Sequence, residues 1–344
     1  MNSSSIFFIL SFIFVNQVNC YKFWWIIESA VDLIKCPLED CCNDYYIPQN
    51  ITGLRKELDN NLFGQHIAQD AVISALAAHI AIENPPKALA MSFHGLAGTG
   101  KNFVARIITN NFFMRGTLSQ HFQVYTGRIE FLLQDQINLY KELLVEKVAE
   151  SLLKCPKSLF VFDEVDLMIP GLLDVLVPFL DHGPVRVPYK GTKQSVPTNK
   201  AIFIFLSNTG SHEIAKALVD LRSQGKNREE TRLEDFESLI AVGAFNGKGG
   251  LHRSDTISTS LIDHYVPFLP LEKPHIRQCI KAAFRLREID PSEEHIEEAM
   301  SHVTFGDKPY DLYAKNGCKR VDQKVASIVY KITKSNELKS HKEL

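Results

Sequence analysis

The chain has almost no net charge: 38 Lys and Arg stand against 40 Asp and Glu, giving −2 over 344 residues. Global charge therefore argues for neither a nucleic-acid partner nor an anionic membrane surface. Internal repeats and low-complexity runs are missing, so a solenoid, a propeller or a long disordered tract is not expected. Cys36, Cys41 and Cys42 cluster without a nearby His or a second Cys-x-x-Cys, which argues against zinc. No apolar run is long enough for a confident membrane span. What remains is ordinary globular material, 45% hydrophobic and 23% charged, enough for a real core. The length fits roughly two domains of about 150 residues each.

The two ends stand apart. Residues 6–15 (IFFILSFIFV) are apolar except Ser11, the length of a signal-peptide core. The segment before them lacks Lys and Arg, leaving the α-amino group as its positive charge. Val18 and Cys20 are small residues placed for a cut before Tyr21, so residues 1–20 are expected to be a signal peptide; an uncleaved anchor is the alternative. Residues 21–50 form a hydrophobic and Cys-bearing segment. In it, Phe23-Trp24-Trp25-Ile26-Ile27 could sit at a membrane interface, giving peripheral ER membrane association, or simply cover the core. His341-Lys342-Glu343-Leu344 resembles the Lys/His-Asp-Glu-Leu retrieval signal, with Lys342 in the Asp position, in a tail of residues 336–344. A merely charged tail is the alternative. Together the two ends point to the lumen of the endoplasmic reticulum (ER). Removing Cys20 leaves six cysteines, an even count that permits disulfides without fixing their pairing. Asn50-Ile51-Thr52 is a glycosylation sequon, usable in the lumen.

Between the ends, apolar strands alternate with helices. A helical pattern starts near Leu54 and continues through residues 68–80, until Asn84-Pro85-Pro86 breaks it. Strands are expected at 88–94, within 121–131, at 158–162 and at 201–206 (AIFIFL). Helices are expected at 103–112, 136–153 and 170–180. Short, fully apolar strands alternating with helices indicate a parallel sheet covered on both faces. Residues 211–250 are polar, with a Gly-rich segment at 243–251 expected to be a mobile loop. A last strand is expected at 266–271, leaving the sheet. Helices at 273–287, 292–303 and 321–333 then form a small C-terminal domain. The expected division is an α/β domain over 51–270 and a helical domain over 271–335.

Three strand ends carry chemistry. Gly95-Leu96-Ala97-Gly98-Thr99-Gly100-Lys101-Asn102 fits the phosphate-binding pattern G-x-x-x-x-G-K, following a strand and opening a helix. Its glycines let backbone N–H groups converge on phosphate oxygens, and the helix N-terminus adds a favourable field. Lys101 would reach the β- and γ-phosphates of ATP. Asn102 stands where Ser or Thr usually ligates Mg²⁺, and offers an amide oxygen instead. Leu159-Phe160-Val161-Phe162-Asp163-Glu164 is a buried strand ending in two carboxylates, about sixty residues further on. Asp163 would hold Mg²⁺ and Glu164 would polarise the attacking water. Asp-Glu as a simple strand cap is the alternative. Asn208, ending AIFIFL-Ser-Asn, can orient that water or can serve as a turn residue. In Gly317-Cys318-Lys319, Lys319 could reach the γ-phosphate or remain solvated.

These strings resemble the torsins, AAA+ ATPases of the ER lumen related to Clp/Hsp100 proteins. The resemblance rests on Gly98-Thr99-Gly100-Lys101-Asn102, Phe162-Asp163-Glu164, Phe203-Ile204-Phe205-Leu206-Ser207-Asn208, Val266-Pro267-Phe268-Leu269-Pro270-Leu271 and Gly317-Cys318-Lys319. It covers roughly residues 36–325. It implies an AAA+ fold and an ATPase acting as chaperone or remodeller in the ER lumen and perinuclear space. In that reading Glu164 is the base, Asn208 and Lys319 sense the γ-phosphate, and Asp163 with Asn102 positions Mg²⁺. Gly64-Gln65-His66-Ile67 resembles the segment that wraps adenine, so His66 and Ile67 join the nucleotide site. The resemblance also implies a homo-oligomer, membrane-anchored activators whose lumenal domains supply an arginine finger in trans, and a redox pair Cys279–Cys318. Two buried free thiols are the alternative to that pair. No arginine-finger motif is evident, with Arg222, Arg228 and Arg232 left as candidates. Ala97 stands where Thr is common, and the aromatic-Gly pore loop of threading relatives is not evident near residues 128–136. A nucleotide-dependent scaffold with negligible turnover is the rival reading.

Overall fold

The computed structural model describes residues 36, 40–183, 185–189, 191–254 and 260–340, without the side chains of 335–340. The expected signal peptide, the segment Phe23–Ile27 and the four-residue tail lie outside the described residues. Five strands form one parallel sheet: β1 (Leu89–Gly95), β2 (Phe122–Thr126), β3 (Leu159–Asp163), β6 (Ile202–Ser207) and β7 (His264–Phe268). Their spatial order is β2-β3-β6-β1-β7. Two further strands, β4 (Val185–Tyr189) and β5 (Thr192–Val196), make a separate antiparallel hairpin that the sequence reading did not anticipate.

Both faces of the sheet are buried, which is why its strands are apolar at consecutive positions. Phe160, Phe162, Phe203 and Phe205 point to one face, where α4 (Ile137–Lys154), α5 (Ser211–Ser223) and α6 (Glu237–Asn246) pack. Phe160 stacks on Phe203 at 4.8 Å and Phe162 on Phe205 at 5.2 Å. Leu159, Val161, Ile202, Ile204 and Leu206 point to the other face, against α1 (Ile51–Asn61), α2 (His66–Ala81) and α3 (Lys101–Phe112). The helix after β1 thus lies on one face and the helix after β6 on the other. A crevice must open between the carboxyl ends of these neighbours, the usual ligand position in such sheets.

Helices α7 (Lys273–Arg285), α8 (Glu293–Met300) and α9 (Val321–Ser340) follow the sheet. They share a separate core of Ile276, Ile280, Phe284, Ile296, Val325 and Ile328. The fold is therefore α/β with a C-terminal helical part, as the alternation of elements predicts.

Several local expectations shift. The helix expected to run on from Leu54 is two helices, parted at residues 62–65, where Gly64 adopts φ 67°. The expected strand over 121–131 stops at Thr126 and becomes a helical turn, Gly127–Glu130. Residues 170–180 form a 3₁₀ turn and a short helix rather than one continuous helix. The last strand does not leave the sheet; it pairs with β1 from Met91↔His264 to Gly95↔Phe268. The segment 243–251 is not a loose loop. It ends α6 and then packs tightly: a Cβ on Gly249 would come within 2.5 Å of the Asp166 backbone, and Leu251 is buried. Its glycines serve close approach rather than freedom.

Three disulfides join Cys36 to Cys41, Cys42 to Cys155, and Cys279 to Cys318. The second ties the N-terminal segment to the end of α4, across 113 residues of sequence. Among the described residues no helix is long and apolar enough to cross a membrane.

Candidate active site

Strand register brings the candidate residues together. β1 pairs with β6 through His94↔Ser207, and β3 with β6 through Phe162↔Phe205. The residues that follow, Gly95–Asn102, Asp163-Glu164 and Asn208, therefore meet at the carboxyl ends of the three central strands.

The Gly-rich loop has the backbone its glycines predict. Gly98 has φ 79° and Gly100, the N-cap of α3, has φ 115°, left-handed conformations that side chains rarely adopt. Gln65, which is buried, anchors the loop: its Nε2 donates to Thr99 O at 2.9 Å and to Leu269 O at 2.8 Å, while Leu269 N donates back to its Oε1. Gln65 thereby links the start of α2 to the loop and to the end of β7.

Lys101 is only 7% exposed. Its Nζ donates to Gly95 O at 2.6 Å, Leu96 O at 3.0 Å and Asn208 Oδ1 at 3.0 Å. These are all uncharged acceptors. Burial lowers its pKa from 10.5 to about 8, opposed by the more distant carboxylates of Asp166 and Asp163. A buried ammonium turned onto the carbonyls of its own loop is a cation without a matched anion.

Asp163 and Asn102 touch directly, the Asn102 amide donating to Asp163 Oδ2. Burial raises the Asp163 pKa, opposed by the backbone N–H of Glu164 and the Asn102 amide. Glu164 has φ 54°, a strained backbone of the kind found at functional sites. Its carboxylate is engaged by Arg128, whose Nε lies 2.9 Å from each oxygen. Asn208 is fixed at both ends of its amide. Oδ1 accepts from Lys101, and Nδ2 donates to Asp166 Oδ2 at 3.2 Å, with the Asn208 backbone N–H also donating to Asp166 at 3.0 Å.

The C-terminal helical part reaches the loop through residues 316–319. Cys318 N donates to Gly98 O at 3.0 Å. A Cβ on Gly98 would lie 2.0 Å from Asn316 O, and one on Gly317 would lie 2.2 Å from Gly98 O. Lys319 is exposed beside this contact, close enough to oppose the charge of Lys101. Half-buried Cys279 bonds Cys318 at 2.06 Å, so the turn against the loop is tied covalently to α7. His66 is turned towards Thr231, its Nε2 3.0 Å from the carbonyl oxygen, and Ile67 is buried. Asn50 lies away from the site, exposed at the start of α1, where Oδ1 accepts from Gly53 N at 2.8 Å.

The site's donor set suits ATP and Mg²⁺. The loop presents backbone N–H groups and a lysine without an anion, which a polyphosphate would complete. Among the described residues no three His, Cys, Asp or Glu side chains are grouped to hold a metal by themselves. One carboxylate, one amide oxygen and substrate phosphates are what Mg²⁺ usually takes, with water filling the rest. Asp163 and Asn102 would hold it.

Arg128 and Asp166 lie outside the expected site residues, and Arg228 enters the sequence analysis solely as a candidate arginine finger. Asp166 was within reach of inspection, two positions after Glu164. Arg128 carries no motif, and only folding brings it across 36 residues to Glu164. Arg228 was a candidate arginine finger and cannot be one. It is 7% exposed and donates to Gly64 O at 2.6 Å and Pro270 O at 2.8 Å, beside Glu272. Arg222 and Arg232 remain exposed.

Comparison with known proteins decides the family. The torsin family model matches residues 36–162, and the model of the torsin-1A C-terminal domain matches residues 271–327. A torsin-like protein of Drosophila melanogaster is 38% identical over 300 residues, 86% of each chain. The chain belongs to the torsin family. A torsin-like protein of Caenorhabditis elegans is 37% identical over 89% of this torsin and 84% of its own length. Human torsin-3A is 35% identical over 84% and 72% respectively. Among solved structures, the S. cerevisiae Hsp104–ADP complex superposes with a TM-score of 0.59 at 18% identity, covering 84% of this chain and 48% of that one. At such identity the likeness concerns the AAA+ fold alone. Family and fold together place this torsin among the AAA+ ATPases.

Proposed function

We propose that this torsin binds ATP with Mg²⁺ at the carboxyl ends of β1, β3 and β6 and hydrolyses it slowly by itself. The reading rests on one observation above others: buried Lys101 has only neutral acceptors, on the loop whose glycines shape a phosphate cradle. Phosphate would draw Lys101 from Gly95 O, Leu96 O and Asn208. Asp163 and Asn102 would hold Mg²⁺, which supplies charge neutralisation at the phosphates. Glu164 would accept a proton from the attacking water, and Asn208, held by Asp166, would orient that water. Lys319 would approach the γ-phosphate from the helical part. His66 and Ile67 would border the base. In this reading the chain acts as a chaperone or remodeller of complexes in the ER lumen and perinuclear space. Three disulfides suit an oxidising lumen. Buried Arg228 removes one internal finger candidate, which favours an arginine supplied by a membrane-anchored activator or by a second copy.

One observation favours the scaffold alternative. Glu164 is paired with Arg128 and Asp163 with Asn102, so both carboxylates are engaged. In that reading ATP would lock an assembly interface without turnover. The experiment that separates the two is ATP turnover by the purified chain, with and without lumenal domains of candidate membrane partners. Stimulated turnover that vanishes in Glu164→Gln supports the ATPase reading. Tight ATP binding with no turnover under any condition supports the scaffold.

A further inference from the structure

β1 ends in the phosphate-binding loop and is apolar except at Ser92 and His94. The two stand two residues apart, so they share one face of the sheet, and both are fully buried. A buried polar group costs stability unless it is hydrogen-bonded, so an ordinary core would place apolar side chains there. Here both ring nitrogens have partners. His94 Nε2 lies 2.7 Å from Ser92 Oγ, and Nδ1 lies 2.9 Å from Thr209 O. A carbonyl can only accept, so Nδ1 carries the proton and Nε2 accepts from the Ser92 hydroxyl. These partners fix the ring as one neutral tautomer, and burial lowers its pKa from 6.5 to about 4.

Thr209 directly follows Asn208. The pairing of β1 with β6 ends at His94↔Ser207, one residue short of Asn208. Beyond that point two side chains take over from the ladder. Ser207 Oγ accepts from Thr209 N at 3.1 Å, and His94 donates to Thr209 O. Together they clamp the turn that carries Asn208. Lys101 also holds the Asn208 side chain, through Oδ1. Phosphate drawing Lys101 away would free that oxygen and leave the turn to Asp166 and to this clamp. We propose that His94, fixed by Ser92, is a positioning residue that holds Asn208 in place for hydrolysis by gripping the Thr209 carbonyl. The proposal rests on the reading of Asn208 as the residue that orients the attacking water. A shift of about 1 Å at such a residue costs about a hundredfold in rate. Neither Ser92 nor Thr209 belongs to the Gly-rich loop, so the clamp acts on turnover rather than on ATP affinity.

The test measures single-turnover hydrolysis of Mg-ATP by excess full-length protein, with ATP affinity and thermal midpoint measured in parallel. The proteins are the wild-type chain, His94→Leu, His94→Asn, Ser92→Ala, Asn208→Ala and the two double variants that join His94→Leu or Ser92→Ala to Asn208→Ala. His94→Leu is expected to slow hydrolysis about ten- to a hundredfold with ATP affinity near that of the wild type. His94→Asn puts an amide donor near the position of Nδ1 and is expected to recover most of the rate. Ser92→Ala frees the ring and is expected to fall between the wild type and His94→Leu. The double variants are expected to be no slower than Asn208→Ala alone, a coupling that a merely structural role would not produce. A wild-type rate in His94→Leu, or losses that simply add to that of Asn208→Ala, overturns this proposal and leaves the ATPase reading standing. If His94→Leu does not fold, Ser92→Ala alone and with Asn208→Ala decides by the same two criteria. No turnover in the wild type with any activator, or a wild-type rate in Asn208→Ala, overturns the proposed role of Asn208 and this proposal with it.

Discussion

Replacing Lys101 with Met should abolish ATP binding and yet stabilise the nucleotide-free protein. The magnitude follows from burial. The Lys101 pKa falls from 10.5 to about 8. At about 1.4 kcal/mol per pH unit, the folded state carries a penalty of about 3 kcal/mol at neutral pH for keeping this ammonium charged. Methionine has similar length and no charge to desolvate. The loss to set against this is small, because two of the three acceptors have a substitute for the donor. Leu96 O still accepts from Thr99 Oγ1 at 2.8 Å, and Asn208 is exposed, so its Oδ1 can take water. Buried Gly95 O is the acceptor for which the loss of the charged donor counts, a cost of about 1–2 kcal/mol. The net expectation is a gain of about 1–2 kcal/mol. The pH dependence has a definite sign. The folded pKa lies below the unfolded one, so the unfolded chain binds more protons between about pH 8 and 10.5. This group therefore makes the wild type more stable as pH rises through that window, and the advantage of Lys101→Met shrinks accordingly. Urea unfolding at pH 7 and pH 9 under non-reducing conditions, with and without Mg-ATP, measures all of this. A nucleotide-free Lys101→Met variant destabilised by more than about 1 kcal/mol would refute the account of Lys101 as an unmatched buried cation.

Asp166→Ala should lower the hydrolysis rate about tenfold or more with little change in ATP affinity, because Asn208 loses the partner fixing its amide; single-turnover rates beside equilibrium binding check this. Arg228→Ala should destabilise the chain by about 3 kcal/mol or more, since Gly64 O and Pro270 O lose their donor and Glu272 its counter-charge; chemical denaturation reads the loss. Reducing Cys279–Cys318, or Cys279→Ser with Cys318→Ser, should cost about 4 kcal/mol for a loop closed across 39 residues. The same change should weaken ATP binding, because the turn bearing Cys318 N is hydrogen-bonded to Gly98 O; calorimetry with and without reductant distinguishes lid loosening from global unfolding.

The parts of this molecule that were legible in its sequence share one property: their chemistry is local. The Gly-rich loop, Asp163-Glu164 and Asn208 each end a strand whose buried faces make it apolar residue after residue, so strand, terminus and functional group are read from one string. The hairpin β4–β5 escaped because only Val185, Val187 and Val196 of its strands are buried, and Thr-Lys-Gln-Ser in its second strand reads as a loop. Helix α5 escaped for a related reason: it lies in a polar stretch and buries a narrow stripe of Ile214, Ala215 and Leu218. Helix α6 is mostly apolar, but it runs into the Gly-rich segment whose composition reads as a loop. The segment 243–251 misled because composition cannot separate a glycine kept for freedom from one kept for contact. Gly249 is the second kind, pressed on the backbone of Asp166.

Asp166, Arg128 and Arg228 show where reading along the chain reaches its limit. Each acts on a residue between 36 and 164 positions away, and no periodicity or motif encodes such a meeting. They are also the residues that would set the state of the site. Asp166 orients Asn208, Arg128 occupies Glu164, and Arg228 joins Gly64 at the start of α2 to Pro270 and Glu272 before α7. The motif residues define what the site can bind. The non-local partners define which arrangement the unliganded chain adopts, and here that arrangement leaves Lys101 on neutral acceptors and Glu164 on a cation. Nucleotide would relieve the first mismatch directly, by supplying the anion Lys101 lacks. In the proposed ATPase reading, binding and hydrolysis are separable in this site: affinity for ATP would be set at Lys101, and turnover would also need the carboxylate of Glu164, whose contact with Arg128 lies outside the Gly-rich loop.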